Sequence, residues 1–423
     1  MSKRKILFFC SETYPPHYEF LEKVFNFHLP CYGYDTVWMM PASEALGIQM
    51  HTWQGRPAIL IPKLRGESPI TLFSAYYRHL RNIRKAFDLM MKAHGPFDLL
   101  QVRDDPAMAA WAHLAATRAN IPWVYQISHL KEEEFISYAR MGIYGPRSKN
   151  IMQGLAGLLL RNFLLGCAQA VFPISERMKN TLARYGIRRN KMVPVEEGAD
   201  TSLLPDKFYK KAKQIRQRLG IRDEPVIIYV GTMNRFRRLE ILLESFRIVL
   251  ARHPGALLLM VGEGRTPDDL AWLKRRSKDI GIFNNVVFTR HVSKQEVRVY
   301  IKAADIGVSP VPASYVYMSS SPIKVLEYLA LETPVVGTDI PDQKFVIDNS
   351  RGGICVGWDA GELSEGINKL LELTREQRKL IGRKGRAWVS KNRDFSVLAQ
   401  KVADTYDRLI LAVGRSGSKE KKE

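Results

Sequence analysis

Short apolar runs alternate with amphipathic helix patterns along the second half of the chain, and this alternation constrains the fold most strongly. The runs at residues 225–231 (PVIIYVG), 256–262 (ALLLMVG) and 333–338 (TPVVGT) have the length of buried strands. Apolar residues recur at helical spacing over residues 239–253, between the first two runs. Strands that are apolar on both faces and are joined by helices predict a parallel, doubly wound sheet.

The first half of the chain follows the same alternation less regularly. Strands are predicted at residues 5–10, 97–102, 122–127 and 168–174. Asp105 and Ser175 are each expected to cap the helix that follows a strand. A chain of 423 residues is too long for one core. We therefore predict an N-terminal α/β domain over 1–203, a C-terminal α/β domain over 204–394, a helix over 395–413 returning to the first domain, and a disordered basic tail over 414–423.

Composition excludes several classes of protein. Hydrophobic residues make up 46% of the chain and charged residues 25%, which are values of a globular protein. The four cysteines lie far apart and form no CxxC pair, so neither a zinc knuckle nor a disulfide framework is predicted. Isolated thiols and the lack of a long apolar run favour a cytoplasmic protein without a spanning helix.

The loop after the strand at residues 225–231 is rich in arginine. Gly231 ends the strand, and Arg235, Arg237 and Arg238 follow it closely. In open parallel sheets, ligands bind beyond the carboxyl ends of the strands. Guanidinium groups near the start of a helix suit phosphate. The pattern predicts either an anion site or a solvated basic loop, and the spacing alone does not decide between them.

A serine-rich segment, SSSPIKVLEY at residues 319–328, opens the helix before the strand at residues 333–338. Ser321 and the serine before it are expected to cap this helix. The free N–H groups of Ile323 and Lys324, with the helix dipole and the lysine charge, would then favour an anion. Glu327, one turn further on, is placed to accept hydrogen bonds from ribose hydroxyls. A capped helix with an ordinary ion pair explains the spacing equally well.

Other features are weaker. Val292 follows a predicted strand at residues 285–289, whose end is a candidate to flank a nucleobase. His129 follows the strand at residues 122–127, although a single histidine is more often structural. The sequence contains no Asp-x-Asp pair and no P-loop, so we expect neither a metal site nor P-loop chemistry.

Three stretches of the second half carry a family resemblance: YVGTMNRFRRLEILLESF (229–246), LLLMVGEG (257–264) and SPIKVLEYLALETPVVGT (321–338). Each resembles a part of the C-terminal domain of the family 4 retaining glycosyltransferases. VFPISERMKNTLARYGI and MVPVEEGADTSLLPD are similar to the family's interdomain stretch. The resemblance covers most of residues 170–410. It implies the GT-B fold, in which two Rossmann-like domains face each other across a cleft.

The resemblance also implies an activity. A retaining glycosyltransferase of this family would move a sugar from a UDP-, GDP- or ADP-sugar to a saccharide or lipid-linked acceptor, without a metal or another cofactor. Arg237 and Lys324 would stabilise the departing diphosphate, and His129 would lie near the donor sugar. The donor-binding residues implied are Gly231, Thr232, Ser321, Ile323, Glu327 and Val292.

Two departures from the family pattern leave alternatives open. Thr232 stands where the family has arginine, and Ser319 stands where it has the first glutamate of a Glu-x7-Glu motif. A non-catalytic partner subunit is therefore one alternative. A nucleotide-sugar epimerase, an isomerase of similar two-domain shape, is an alternative that does not depend on these departures.

The net charge of +21 raises the question of an anionic partner. Basic amphipathic stretches occur at residues 69–92 and around residues 140–161, where Arg140, Arg147, Lys149 and Arg161 accompany apolar residues. Each is either a core-facing helix or a peripheral contact with an anionic membrane, at its cytoplasmic face. For residues 69–92 the core-facing interpretation is favoured. No recognisable module combines basic and aromatic residues, so nucleic acid is not expected as a partner.

Overall fold

The structure is a computed structural model that describes residues 3–63 and 69–419, with side chains for 3–63 and 77–413. The chain forms two compact units. One combines the chain up to Glu196 with the C-terminal helix from Phe395, and the other is Glu197–Asp394. The division at residue 196 precedes the predicted boundary by seven residues.

The first unit is built on a seven-stranded sheet with the order β3-β4-β2-β1-β5-β6-β7. All neighbouring strands pair in parallel except β3 and β4, which form an antiparallel edge. The four strands predicted in this half are present as β1, β5, β6 and β7. The strands are β1 Arg4–Cys10, β2 Tyr34–Ala42, β3 Gln49–Trp53, β4 Arg56–Pro62, β5 Leu99–Arg103, β6 Trp123–Ile127 and β7 Ala170–Pro173.

The helices of the first unit cover its sheet. The side chains of Asp105 and Ser175 accept backbone N–H bonds at the starts of two helices, which confirms both predicted caps. The α-helices are α1 Pro69–His94, α2 Pro106–Ala119, α3 Lys131–Met141, α4 Arg147–Cys167 and α5 Glu176–Arg184. A π-helical segment, Leu21–His28, and short 3-10 turns at Leu29–Tyr32 and Arg189–Lys191 complete this half.

The C-terminal helix, Phe395–Lys419, packs on the sheet of the first unit. Its apolar stripe, which includes Phe395, Val402 and Tyr406, belongs to the same buried cluster as Phe8 of β1. The Tyr406 hydroxyl donates to the side chain of Gln101 in β5. The helix extends into the predicted disordered tail as far as Lys419, and the remainder of that tail, 420–423, lies outside the described residues.

The second unit contains a six-stranded parallel sheet with the order β10-β9-β8-β11-β12-β13. Buried clusters lie on both of its faces, as expected for strands that are apolar throughout. The strands are β8 Val226–Val230, β9 Leu257–Val261, β10 Val286–Arg290, β11 Ile306–Ser309, β12 Val335–Thr338 and β13 Gly353–Val356. The helices are α6 Tyr209–Arg218, α7 Glu240–Arg252, α8 Pro267–Asp279, α9 Lys294–Ala303, α10 Ile323–Ala330, α11 Pro341–Ser350, α12 Ala360–Leu371 and α13 Arg375–Asn392.

The two sheets, parallel apart from the antiparallel edge of the first, confirm the predicted pair of Rossmann-like α/β units. Within residues 3–63 and 69–419, no helix combines the length and the apolar character needed to cross a membrane. The core-facing interpretation of the first basic stretch holds for the described side chains of α1, because Ile83, Ala86 and Met90 are fully buried.

Candidate functional site

Glycine follows both β8 and β9, at Gly231 because of its φ angle and at Gly262 also because the two strand ends lie close together. Gly231 follows β8 with a φ of 139°, and its N–H donates to the Val261 carbonyl at 2.9 Å. Gly262 follows β9 with a φ of 135°, and a Cβ atom there would lie 2.3 Å from the Gly231 carbonyl oxygen. Residues with side chains rarely adopt such φ values. The strand ends therefore present bare backbone at this edge of the sheet.

The arginines of the loop after Gly231 are held in different environments. Arg235 and Arg238 are exposed, and their guanidinium groups lie 5.9 and 4.7 Å from the ring centroids of two different tryptophans. Arg237 is half-buried and lies 5.4 Å from the ring centroid of Tyr317. The Arg237 N–H donates to the Asn234 side chain at 3.1 Å, which fixes this turn. Arg237 is thus the arginine that the loop holds against the protein.

Helix α10 begins without a side-chain cap, which corrects the prediction for Ser321 and the serine before it. Pro322 is the N-cap residue. The Ser321 hydroxyl donates instead to the Asp342 carboxylate at 2.6 Å and accepts the Glu197 N–H at 3.2 Å. Asp342 also accepts from Arg393 at 2.7 Å, so Ser321 belongs to a buried polar network. No side chain at the N-cap of α10 accepts a hydrogen bond from the N–H groups of its first turn.

Lys324, in the first turn of α10, is a buried cation next to the end of β8. Its Nζ lies 4.9 Å from the ring centroid of Tyr229 and would lie 3.7 Å from a Cβ atom on Gly231. Burial, and then the charge of Arg237, lower the pKa of Lys324 well below its usual range, while Glu327 acts in the opposite direction. The structure therefore brings Lys324 next to Gly231 and places Arg237 close enough to act on the charge of Lys324.

The remaining predicted residues of the second unit are more dispersed. Thr232 is exposed in the loop after Gly231, and Ile323 is the first residue of α10. Glu327 is half-buried one turn along α10. Val292 follows β10 and packs, partly buried, against the core of the unit. Ser319, at the missing carboxylate position, is buried at the end of the 3-10 turn Tyr317–Ser319.

Tyr229 and Tyr317 were not predicted as site residues. Burial raises the pKa of Tyr229 to about 12, and the charge of Arg237 acts against this rise. Tyr229 precedes Gly231 by two residues in β8, so strand periodicity was a signal that its ring lies beside the glycine. Tyr317 lies in an aperiodic segment, where the sequence offers no corresponding signal.

His129 lies in the first unit, which has its own pocket at the ends of β1, β5 and β6. The cavity measures about 280 Å³ and is lined by His129, Ser128, Asp104, Glu12 and Arg161 among others. The His129 Nε2 lies 3.1 Å from a carboxylate oxygen of Glu134. Asp104 accepts the Ser128 N–H at 2.7 Å and also its hydroxyl, so polar groups converge at these strand ends.

No group of three His, Cys, Asp or Glu side chains is arranged to hold a metal ion within the described parts of the chain. The positive charge at the end of β8 comes from Lys324, Arg237 and the start of α10, so the residues present are suited to an anion.

Two family models match the chain. The model described as "Glycosyl transferase 4-like domain" matches residues 9–198, and "Glycosyl transferases group 1" matches residues 224–373. Together they account for most of the chain. The chain belongs to the family 4 glycosyltransferases. It has the GT-B fold of this family.

Individual relatives of the family are distant in sequence. The chain is 23% identical over 276 residues to alpha-monoglucosyldiacylglycerol synthase of Streptococcus pneumoniae, covering 64% of this chain and 58% of the relative. It is 25% identical over 194 residues to GDP-mannose-dependent alpha-(1-6)-phosphatidylinositol monomannoside mannosyltransferase of Mycolicibacterium smegmatis, covering 45% and 50%. The chain thus matches only about half of the length of these relatives.

Solved structures share the fold of the whole chain. Sucrose-phosphate synthase from Thermosynechococcus elongatus superposes with a TM-score of 0.72 at 17% identity, covering 97% of this chain and 100% of that one. At such identity the likeness concerns the fold alone.

Proposed function

We propose that this family 4 glycosyltransferase transfers a sugar from a nucleoside-diphosphate sugar to a saccharide or lipid-linked acceptor, with retention at the anomeric carbon. One observation carries the proposal: Lys324, at the start of α10, lies beside the bare backbone of Gly231, and Arg237 is close enough to act on its charge. The names of both relatives describe the attachment of a sugar to a lipid, which supports a lipid-linked acceptor.

The electrostatics of this site favour a diphosphate. Two like charges held close together repel each other, and the pKa of Lys324 is lowered by burial and by Arg237. A bound anion would relieve this repulsion, and the positive end of α10 would add to the attraction. When the bond between the anomeric carbon and the phosphate oxygen breaks, its electron pair goes to the diphosphate. The two cations would stabilise that developing charge without moving.

The other site residues take the following roles in the proposal. Gly231 lets the diphosphate approach the backbone, and Glu327 accepts hydrogen bonds from the ribose hydroxyls. The acceptor oxygen attacks from the side that the leaving group vacates, and its proton passes to the departing phosphate oxygen. No protein nucleophile is needed for this step. Because Ser319 replaces a carboxylate, the sugar hydroxyls must be recognised by other residues.

The proposal is tested by donor binding. UDP-, GDP- and ADP-sugars are screened for an increase in Tm and then for slow hydrolysis without acceptor. A ligand at 100 times its Kd stabilises the folded state by about 2.7 kcal/mol, which is several degrees in Tm. Arg237→Ala should abolish the stabilisation, whereas Arg235→Ala, which removes a neighbouring exposed arginine of the same loop, should leave it unchanged.

The outcomes of this screen separate the alternatives. Equal stabilisation of Arg237→Ala and wild type would reject the site. Stabilisation without hydrolysis, and without transfer to any acceptor offered, would reject the proposed activity and assign a binding role. Conversion of the nucleotide sugar into its epimer would reject transfer in favour of isomerisation.

A pH dependence follows from Lys324. Its pKa is lowered in the free protein, so a bound diphosphate should raise it again and cause proton uptake. Between the lowered pKa and the ordinary value of about 10.4, UDP binding should therefore strengthen as the pH falls. Calorimetry in buffers of different ionisation enthalpy measures the proton count directly. Lys324→Met should bind without this uptake, and an identical uptake in wild type and variant would contradict the assignment.

A further inference from the structure

Helix α4 is amphipathic in the reverse of the usual sense, with its apolar face turned to solvent. Met152, Leu155, Leu159 and Phe163 recur at helical spacing and are 66%, 54%, 78% and 63% exposed. Ile151 and Leu160 extend the same face at 37% and 38% exposure. We call these six residues the outer face of α4. Soluble proteins rarely expose large apolar side chains in a contiguous patch, and such patches mark interaction sites.

The inner face of α4 explains why the helix cannot turn its leucines inward. Gly154 packs against α3, where a Cβ atom would lie 2.6 Å from the Ile136 side chain. Arg161 is 1% exposed and contacts Glu132 and Glu133 of α3 at 2.8 and 2.7 Å. A rotation of the helix would bury the leucines only by breaking this ion cluster and by exposing the close-packed glycine. The orientation of the outer face is therefore fixed by the opposite side.

The surroundings of the outer face are cationic. The sequence contains no Asp or Glu from residue 135 to residue 175. Arg140, Arg147 and Lys149 are exposed near the N-terminal end of α4. At its other end, the Lys191 ammonium donates to the Gly166 carbonyl at 2.6 Å. An apolar surface between cations has the chemistry of an element that lies in the headgroup region of an anionic bilayer.

We propose that the outer face of α4 docks this protein onto an anionic lipid bilayer. Leu159 and Phe163 would enter the acyl boundary, while Arg140, Arg147 and Lys149 would contact lipid phosphates. A second copy of the chain is a less suitable partner. If the outer face paired with itself, the cations of the two copies would come together, and residues 135–175 contain no acid to balance them. Arg161, the fourth cation of this basic stretch, takes no part because it is buried against α3. This inference does not depend on the proposed sugar transfer.

The test is co-sedimentation of the full chain with phosphatidylglycerol vesicles and with phosphatidylcholine vesicles, at low and at high salt. Wild type should bind the anionic vesicles, and salt should weaken the binding. Leu159→Glu combined with Phe163→Glu should lower the partition coefficient by about tenfold or more, since two buried apolar contacts are replaced by charges that the anionic surface repels. Arg147→Gln and Lys149→Gln should each lower it roughly fivefold.

Leu46→Glu combined with Leu380→Glu is the matched control, because these leucines are 100% and 53% exposed outside α4. This control should bind nearly as well as wild type. The proposal fails if wild type does not sediment with phosphatidylglycerol vesicles at low salt, or if the α4 variant binds as tightly as the control. It also fails if wild type is a dimer by light scattering that the α4 variant converts to a monomer, since a second copy would then cover the face.

Discussion

Lys324→Met is expected to lower the turnover of sugar transfer by about 10²- to 10³-fold, the loss that follows removal of one positioned charge stabiliser. The same substitution should raise the Tm of the ligand-free protein. Lys324 is buried, and burial and Arg237 lower its pKa, so its charged form destabilises the folded state. Each pKa unit by which it is lowered corresponds to about 1.4 kcal/mol. A base whose pKa is lowered by folding makes the folded state less stable as the pH falls. Wild type should therefore lose stability between about pH 10.4 and the lowered pKa of Lys324. The variant lacks this group and should not.

Lys302→Met is the matched control for this prediction. Lys302 is another lysine of the second unit whose pKa burial lowers, and its Nζ donates to the Leu331 carbonyl at 3.2 Å, away from Gly231. Its replacement should leave turnover at the wild-type level. Steady-state kinetics with the donor found by the nucleotide-sugar screen, and thermal unfolding without ligand, measure the two effects. A loss of turnover that both variants share would show that Lys324 acts only through the fold.

The opposite effects expected for turnover and stability have a common physical origin. An anion site in a protein interior must hold its basic groups in place before the anion arrives, and the cost of charging Lys324, through burial and then repulsion from Arg237, is the cost of that arrangement. The ring of Tyr229 partly compensates, because an aromatic face attracts a cation at 4.9 Å. Sites of this kind commonly trade stability for function.

Local sequence patterns predicted the elements that carry the site. The strands that end at Gly231 and Gly262 are continuous apolar runs, and parallel pairing brings their ends to one edge. The helix that carries Lys324 was predictable from Pro322 and the apolar spacing after it. β13 was missed because its apolar run, residues 354–356, is only three residues long, as fits a half-buried strand at the edge of the sheet.

Long-range partners decide one point that the sequence predicted wrongly and one that it left open. Ser321 was predicted as a cap from its position, but its hydroxyl is engaged by Asp342, which lies 21 residues further along the chain. For Arg161 the sequence left a core-facing and a membrane-facing position open, and Glu132 and Glu133 of a different helix hold it in the core. In both cases the outcome depends on a buried polar partner that no spacing within one helix reveals.

Arg161→Met is expected to destabilise the first unit by roughly 3–5 kcal/mol, because it leaves buried carboxylates without their cation. Glu132 and Glu133 have side chains only 10% and 8% exposed, and Arg161 donates to both. For a unit of this size, the loss corresponds to a fall in Tm of roughly 6–20 °C. Arg276→Met is the exposed counterpart, since its pair with Glu244 is equally short at 2.9 Å but about 40% exposed on both sides. That control should cost less than about 1 kcal/mol.

The charge imbalance, and not the loss of packing, should cause this effect. Methionine retains most of the volume of the arginine stem, so combining Arg161→Met with Glu132→Gln and Glu133→Gln should recover most of the lost stability, as replacement of whole buried ion clusters often does. Calorimetric unfolding of the single, triple and control variants decides the point. If the triple variant is as unstable as Arg161→Met, the cluster acts through the close packing of α3 and α4 at Gly154 and Gly157, where added Cβ atoms would lie 2.6 and 2.7 Å from side chains of α3. In that case the orientation of the outer face of α4 is fixed by shape and not by charge.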